Sequence, residues 1–177
     1  MNCSEYLVDF LIKHDVTDLF GYAGGYIVPF MDALYKRKEE ITLHVCYHEQ
    51  GCALAANGFA RTSGNLGVYF TTSGPGAVNA LGGLADAWFD GFPIMGICGN
   101  VPTYEMKGFS GIRQNGFQEM DIISMTKNIT KYSVTANSNK EFADVINRAY
   151  NMALLGRKGG VVIDFPLDIQ QADIISR

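Results

Sequence analysis

The chain has 177 residues, of which 47% are hydrophobic and only 18% are charged, and its formal net charge is −4. This length and composition fit one α/β domain with a sizeable core and are too short for two domains of ordinary size. The acidic balance, with basic residues clustered only at 36–38, excludes a nucleic-acid-binding function.

Hydrophobic periodicity predicts helices that alternate with strands along the chain. The first half reads as a helix over 4–15, a strand at 18–21, a helix at 27–37, a strand at 42–47 and a helix at 49–61. The second half continues with strands at 67–71, 93–98, 129–134 and 160–165, and with helices at 77–89, 119–125 and 140–155. Residues 99–118 lack periodicity and predict a long loop, and a loop of this length in a compact domain is typically functional.

This alternation predicts an α/β fold with three layers, α/β/α, in which helices cover both faces of a parallel sheet. The continuous apolar runs at 94–98 and 161–163 are typical of central strands. We expect one domain over residues 1–168, with residues 169–177 beginning a linker to a further domain. Ligands of such folds bind outside the carboxyl ends of the strands, where the loops after the strands gather.

Glu49 stands at the junction of a predicted strand and a helix of small residues. A carboxylate is costly to bury there unless it is paired or protonated, so this position indicates a functional residue. Its neighbour His48 is expected to pack or to hydrogen-bond locally. Two glycine-rich turns, 21–25 and 72–77, follow neighbouring strands and should end on the same side of the sheet as Glu49. Together these three segments predict a cofactor pocket.

The turn at 74–77 opens a helix, and its glycines would let the backbone approach a ligand closely. An anion site is one interpretation and an ordinary structural turn is the other. The sequence contains neither GxGxxG nor GxxxxGK[ST], so it does not support a dinucleotide or a nucleoside triphosphate site. His44 and His48 lie four residues apart, but without a third ligand we expect no metal site.

Six motifs along the chain carry a resemblance to a known family. They are residues 20–25 with Pro29, residues 32–34, residues 48–50, residues 72–79, residues 116–119 and residues 162–166. In this order they resemble the N-terminal, pyrimidine-binding domain of thiamine diphosphate-dependent enzymes of the acetolactate synthase type. The resemblance covers nearly the whole chain and implies the fold of that domain.

The resemblance implies a defined role for Glu49. In this family the glutamate hydrogen-bonds N1′ of the aminopyrimidine ring and favours its imino tautomer, so that the 4′-nitrogen can take the proton from C2 of the thiazolium. The substrate implied is a 2-keto acid, which is decarboxylated with the thiazolium as electron sink. The expected activity is that of a lyase or acyl-transferring synthase.

The same resemblance implies further site residues. Those expected at the pyrimidine end of the cofactor are Tyr22, Ala23, Gly24, Thr72, Pro75 and Asn79, and those expected on the substrate side are Gly25, Phe117 and Gln118. For each of them the alternative is a structural role, as a turn residue, a helix cap or a packed aromatic side chain.

Some residues depart from the pattern of the acetolactate synthases. Ala23 stands where those enzymes usually have proline, Tyr47 where they usually have arginine, and the loop 107–115 differs from theirs. These differences leave the keto acid open. Arg113 in that loop binds a carboxylate or is an ordinary solvated residue, and both interpretations stay open.

Enzymes of this family bind the diphosphate and Mg²⁺ through a separate domain that carries a Gly-Asp-Gly motif, which does not occur in these 177 residues. The resemblance therefore implies a partner, namely the diphosphate-binding domain of the same enzyme or of a second subunit, and a homodimer in which the cofactor spans two subunits. FAD dependence stays open. We expect the chain to be a fragment of a longer enzyme, or one subunit of a split enzyme, and to be inactive alone.

Two other functions are considered. A non-catalytic subunit or assembly module that retains the fold is the main alternative, although such a module has no need of Glu49. A flavodoxin-like nucleotide-binding domain is disfavoured because the sequence has no phosphate fingerprint.

The compartment is indicated by the cysteines and the N-terminal segment. Four cysteines without CxxC spacing are typical of a reduced, cytoplasmic protein: Cys3, Cys46, Cys52 and Cys98. Glu5 and Asp9 interrupt the apolar pattern near the N-terminus, so we expect neither a signal peptide nor a membrane span there.

Overall fold

Six parallel strands form one sheet in the computed structural model, which describes residues 1–108 and 110–175. The strands are β1 (Asp18–Gly21), β2 (Thr42–Val45), β3 (Gly67–Thr71), β4 (Ile94–Asn100), β5 (Tyr132–Thr135) and β6 (Gly160–Pro166). Their order across the sheet is β2-β1-β3-β4-β6-β5, and every neighbouring pair is parallel. All six carboxyl ends therefore lie at the same edge of the sheet.

Helices connect the strands. They are α1 (Cys3–Lys13), α2 (Val28–Lys36), α3 (Glu49–Ser63), α4 (Pro75–Asn79), α5 (Leu81–Asp90), α6 (Ile122–Thr126), α7 (Phe142–Leu154) and α8 (Leu167–Gln171). Short 3₁₀ turns occur at Gly25–Ile27 and Thr103–Glu105. None of the helices in the described ranges is long and apolar enough to cross a membrane.

Two apolar clusters cover the two faces of the sheet. Val161 and Ile163 of β6 belong to the cluster that includes α1, α2 and α7, whereas Val162 belongs to the cluster that includes α3 and α5. Successive residues of a strand point to opposite faces, so a strand that is buried on both sides reads as a continuous apolar run. The predicted three-layer α/β/α fold is confirmed.

The helix predicted over 77–89 is interrupted at Ala80, which separates α4 from α5. Two glycines follow the break, and glycine weakens a continuous helix. Gly83 also packs directly on α3, because a Cβ atom there would lie 2.6 Å from the Cβ of Ala53 and 2.8 Å from the backbone nitrogen of Leu54. The two helices therefore approach one another at backbone distance.

The predicted long loop at 99–118 is present, but its two ends differ from the prediction. β4 continues to Asn100, and the helix expected from residue 119 begins only at Ile122. Residues 116–119 instead form a turn in which the Glu119 N–H donates to the Gly116 carbonyl at 3.2 Å. Phe109, in the part of this loop that departs from the family pattern, lies outside the described residues.

Helix α8 runs across residue 168, the expected end of the domain. Its Gln170 is fully buried and donates from Nε2 to the Tyr26 and Phe165 carbonyls, both at 2.7 Å. Ordered structure thus continues through α8 into the expected linker, of which residues 176 and 177 lie outside the described residues. The boundary at 168 stays a prediction.

Candidate functional site

Glu49 is the first residue of α3, directly after the short connection from β2. His48 caps this helix, because its ring Nδ1 accepts a hydrogen bond from the Gln50 N–H at 3.2 Å. The local hydrogen bond expected of His48 is therefore present. The local sequence thus places one carboxylate at the carboxyl edge of the sheet, where it is only 7% exposed.

Asn79 is the partner that the buried carboxylate needs. Its Nδ2 donates to Oε2 of Glu49 at 3.0 Å, from the last turn of α4. Within the described residues, Oε1 of Glu49 accepts no hydrogen bond from a side chain or a backbone N–H group. The arrangement fixes one oxygen and leaves the other as a free acceptor.

The two glycine turns close around Glu49 and Thr72. A Cβ atom on Gly76 would lie 3.0 Å from Oε1 of Glu49 and 2.8 Å from Cγ2 of Thr72. A Cβ atom on Gly24 would lie 2.6 Å from Oγ1 of Thr72. Only residues without a side chain allow these approaches. The structure thus brings together the three segments that the sequence singles out, around residues 24, 49 and 72–76.

Several other predicted site residues lie on the solvent-exposed side of this cluster. Tyr22, Ala23, Gly25 and Pro75 are exposed. A Cβ atom on Gly25 would have no atom of the described residues within 4 Å, so its surroundings leave room for a bound molecule. Asn79 is also largely exposed, although its amide reaches the buried carboxylate.

Gln118 meets the second glycine turn through its backbone. A Cβ atom on Gly74 would lie 2.5 Å from the Gln118 carbonyl oxygen, and Gly74 itself has a φ of +56°. Phe117 is 69% exposed, and Arg113 is exposed as well. The backbone at the end of the long loop therefore packs against the glycine turn beside Glu49, whereas the Phe117 side chain is exposed.

The polar surroundings of Glu49 fit the aminopyrimidine end of a thiamine cofactor. A free carboxylate oxygen suits a ring nitrogen that shares a proton with it. Ser73, on the same glycine turn, has a buried hydroxyl oxygen without a hydrogen-bond partner in the part of the chain that the structure describes. Burial raises the pKa of the Cys52 thiol to about 12, so this neighbour on α3 stays uncharged.

No group of three or more His, Cys, Asp or Glu side chains among the described residues is arranged to hold a metal ion. His44, one member of the histidine pair, instead places Nε2 2.6 Å from Oδ1 of Asp18 and stacks on Phe20.

Asp164 is a buried carboxyl group to which the sequence analysis assigns no role. It lies on β6 at 3% exposure and accepts hydrogen bonds from Asn100 Nδ2 at 2.9 Å and from Thr135 Oγ1 at 2.9 Å. Burial, together with the nearby charges of Asp121 and Glu119, raises the pKa of Asp164 to about 7, although the hydrogen bonds from Thr135 and Asn100 act in the opposite direction. Asp164 interrupts the apolar run at 161–165, and this interruption is the sequence signal that could have identified it.

The stability of the protein is expected to fall as the pH rises through the titration of Asp164. The folded state keeps the proton up to about pH 7, whereas the unfolded chain releases it near its ordinary pKa of about 4, so the folded state binds more protons between these values. Asp164→Asn does not titrate. Between pH 5 and pH 8 the free energy of unfolding of the wild type should therefore drop by about 2.5 kcal/mol relative to this variant.

Urea unfolding of both proteins at several pH values measures this difference, and any constant cost of the substitution cancels from its pH dependence. Asp144→Asn, on an exposed position of α7, controls for the loss of one carboxylate. A difference between wild type and Asp164→Asn that does not change with pH would show that Asp164 is ionised throughout.

Comparison with known proteins matches residues 1–125 to the family described as thiamine pyrophosphate enzyme, N-terminal TPP binding domain. The chain is 40% identical over 170 residues to an acetolactate synthase of Arthrospira platensis, which covers 95% of this chain and 28% of that protein. It is 41% identical over 172 residues to the acetolactate synthase isozyme 2 large subunit of Escherichia coli K12, covering 97% of this chain and 30% of the relative.

A probable acetolactate synthase large subunit of Methanocaldococcus jannaschii is 38% identical over 174 residues, with 98% of this chain and 28% of the relative covered. The chain thus spans less than a third of the length of each of these three relatives.

Proposed function

This chain belongs to the thiamine pyrophosphate enzymes, as their N-terminal TPP-binding domain, and from that premise we propose that it supplies the pyrimidine-binding half of the cofactor site in an enzyme resembling acetolactate synthase. The observation that carries the proposal is the buried carboxylate of Glu49, with Oε2 held by Asn79 and Oε1 free beside Gly76. The substrate proposed is a 2-keto acid.

Thiamine diphosphate supplies a thiazolium ring, which accepts the electron pair when the bond between the carbonyl carbon and the carboxylate of a 2-keto acid breaks. This chain is proposed to position the pyrimidine ring of the cofactor and to control the proton on its ring nitrogen. Oε1 of Glu49 is proposed to share a proton with the pyrimidine nitrogen, while Asn79 keeps the carboxylate from rotating away. The burial of Glu49 excludes water from this hydrogen bond and strengthens it.

The other proposed contacts follow from the position of each residue around Glu49. Gly24, Thr72 and Pro75 are proposed to line the pyrimidine pocket, with Tyr22 and Ala23 at its entrance. The substrate side is proposed to comprise Gly25, Phe117 and Gln118. The open space beside Gly25 supports this assignment, because a side chain there would occupy room that a substrate needs.

The remaining half of the site is proposed to come from another domain, in the same protein or in a second subunit of a homodimer. That domain would hold the diphosphate and Mg²⁺, since the described residues group no three side chains able to bind a metal. The relatives are more than three times as long as this chain, which leaves ample length for such a domain. The four free cysteines support a reducing compartment such as the cytoplasm.

A polypeptide of these 177 residues is expected to show no turnover of pyruvate and only weak binding of thiamine diphosphate. The reason is that the diphosphate and its metal are proposed to be held by the other domain, which this polypeptide would lack. Calorimetric titration with thiamine diphosphate and Mg²⁺, together with a decarboxylation assay, measures both quantities, and the full-length protein serves as the positive control.

Turnover of pyruvate by the 177-residue polypeptide alone would contradict the proposed division of the site. A full-length protein that binds no thiamine diphosphate would instead favour the alternative function, a non-catalytic assembly module that retains the fold.

A further inference from the structure

Glu119 closes the long loop between β4 and α6. One carboxylate oxygen accepts the backbone N–H of Lys107 at 2.7 Å, and the other accepts the backbone N–H of Asn115 at 2.9 Å. Hydrogen bonds from N–H groups to an ionised carboxylate are shorter and stronger than neutral ones. One side chain therefore ties both ends of the segment 107–115 to the turn that follows it.

The turn at 116–119 carries a conformation that needs such support. Gln118 has a φ of +56°, a left-handed conformation that residues with a side chain rarely adopt. Gly116 is buried against Val101, because a Cβ atom on Gly116 would lie 2.7 Å from the Val101 side chain, and Gln114 Nε2 donates to the Gly116 carbonyl at 2.7 Å. Unfavourable backbone conformations persist only where the surroundings fix them, and they concentrate at functional sites.

The same turn contacts the candidate site. The Gln118 backbone lies against Gly74, and two residues further along, Gly76 packs against the carboxylate of Glu49. A continuous set of contacts thus leads from Glu119 through Gln118 to the glycine turn. Glu119 itself contacts none of the residues proposed for the pyrimidine pocket through a side-chain hydrogen bond within the described ranges.

We propose that Glu119 is a positioning residue whose carboxylate, by binding the N–H groups of Lys107 and Asn115, holds Phe117 and Gln118 at the Gly74 turn and thereby sets the affinity for the 2-keto acid. This inference rests on the proposed function of the Glu49 site. Glu119 acts on the loop and not on the pyrimidine pocket, so its loss changes substrate binding and leaves cofactor binding intact.

The test uses the full-length protein that carries this sequence, with Glu119→Gln as the variant. Glutamine keeps the size of the side chain but replaces one acceptor oxygen with a donor, so one of the two backbone N–H groups loses its partner. The expected result is a KM for pyruvate that rises about tenfold, as the loss of one such hydrogen bond predicts. The kcat and the affinity for thiamine diphosphate should stay within about twofold, which is the ordinary scatter for a site that is not touched.

Hydrogen–deuterium exchange gives a readout that does not depend on activity. Amide exchange in peptides covering residues 107–115 should accelerate about tenfold in Glu119→Gln, for the same reason. Glu119→Asp keeps both acceptor oxygens on a shorter side chain and should recover part of the protection and of the KM. Glu105→Gln is the matched control, since its side chain lies in the same connection and accepts no hydrogen bond in the described part of the chain.

Unchanged exchange in Glu119→Gln would overturn the inference, and so would faster exchange without a change in the KM for pyruvate. A drop in the affinity for thiamine diphosphate of the same size as the rise in KM would overturn it too, because it would show a general loss of structure. If the wild type binds no thiamine diphosphate, the proposed function fails and the role assigned to Glu119 in substrate affinity fails with it, whereas the exchange measurement still decides whether Glu119 holds the loop.

Discussion

Replacing Glu49 with glutamine is expected to reduce turnover by the full-length protein about 10²- to 10⁴-fold, the usual contribution of a positioned acid–base group. The geometry explains why the nearly isosteric amide fails. Asn79 donates to Oε2, so the amide oxygen of the variant is retained there and the NH₂ group takes the place of Oε1. A donor then stands beside Gly76, where the carboxylate offered a free acceptor.

The measurement that isolates this effect is the exchange rate of the C2 proton of bound thiamine diphosphate, followed by NMR after acid quench. It should slow in Glu49→Gln by a factor similar to the loss of turnover. Glu39→Gln, at an exposed position after α2, is the control for removing one glutamate. An unchanged exchange rate in Glu49→Gln would show that this carboxylate does not govern the proton at C2.

Replacing Gly74 with alanine is expected to lower the free energy of unfolding by about 2–4 kcal/mol and to abolish most activity. Two costs combine at this position. Gly74 adopts φ +56° and ψ −122°, which a residue with a side chain avoids, and the new methyl group would lie 2.5 Å from the Gln118 carbonyl oxygen. Relief of this clash must move backbone, so the loop end and the glycine turn would separate.

Gly108→Ala is a control for a positive φ without a steric clash. Gly108 has a φ of +54°, close to that of Gly74, but a Cβ atom there would have nothing within 4 Å among the described residues. The control should therefore lose only about 1 kcal/mol, the cost of a left-handed conformation. Urea unfolding of the two variants measures the difference. Equal losses would mean that the contact between Gly74 and Gln118 contributes nothing to stability.

The architecture could be predicted because its signals are local. The continuous apolar run at 161–163 identifies a strand buried on both faces, and the alternation of strands and helices requires a parallel sheet. The predicted bounds of helices are wrong where tertiary contacts determine where a helix breaks or begins. The break at Ala80 accompanies the close packing of Gly83 on α3, and α6 begins late, at Ile122, after a turn in which the Glu119 carboxylate accepts backbone N–H groups from the preceding loop.

The sequence singles out residues of the candidate site but does not show which of them hydrogen-bond to one another. Glu49 was conspicuous because a carboxylate at a buried junction needs a reason. That Asn79 is its partner depends on how α4 is placed relative to α3, which no local pattern encodes. The contact of Glu119 with Lys107 joins residues twelve apart in a segment without periodicity, and it becomes visible only in three dimensions.

The backbone contact between Gly83 and the middle of α3 has a mechanical consequence for the site. Where Gly83 packs on α3, no side chain longer than the methyl group of Ala53 lies between the two backbones, so a shift of α3 towards α5 at this point would cause a clash. Glu49, at the first turn of α3, is thereby anchored to the rigid body of the domain. Ligands of different size would therefore meet the Glu49 carboxylate at the same position, and any adjustment would come from the other segments around it.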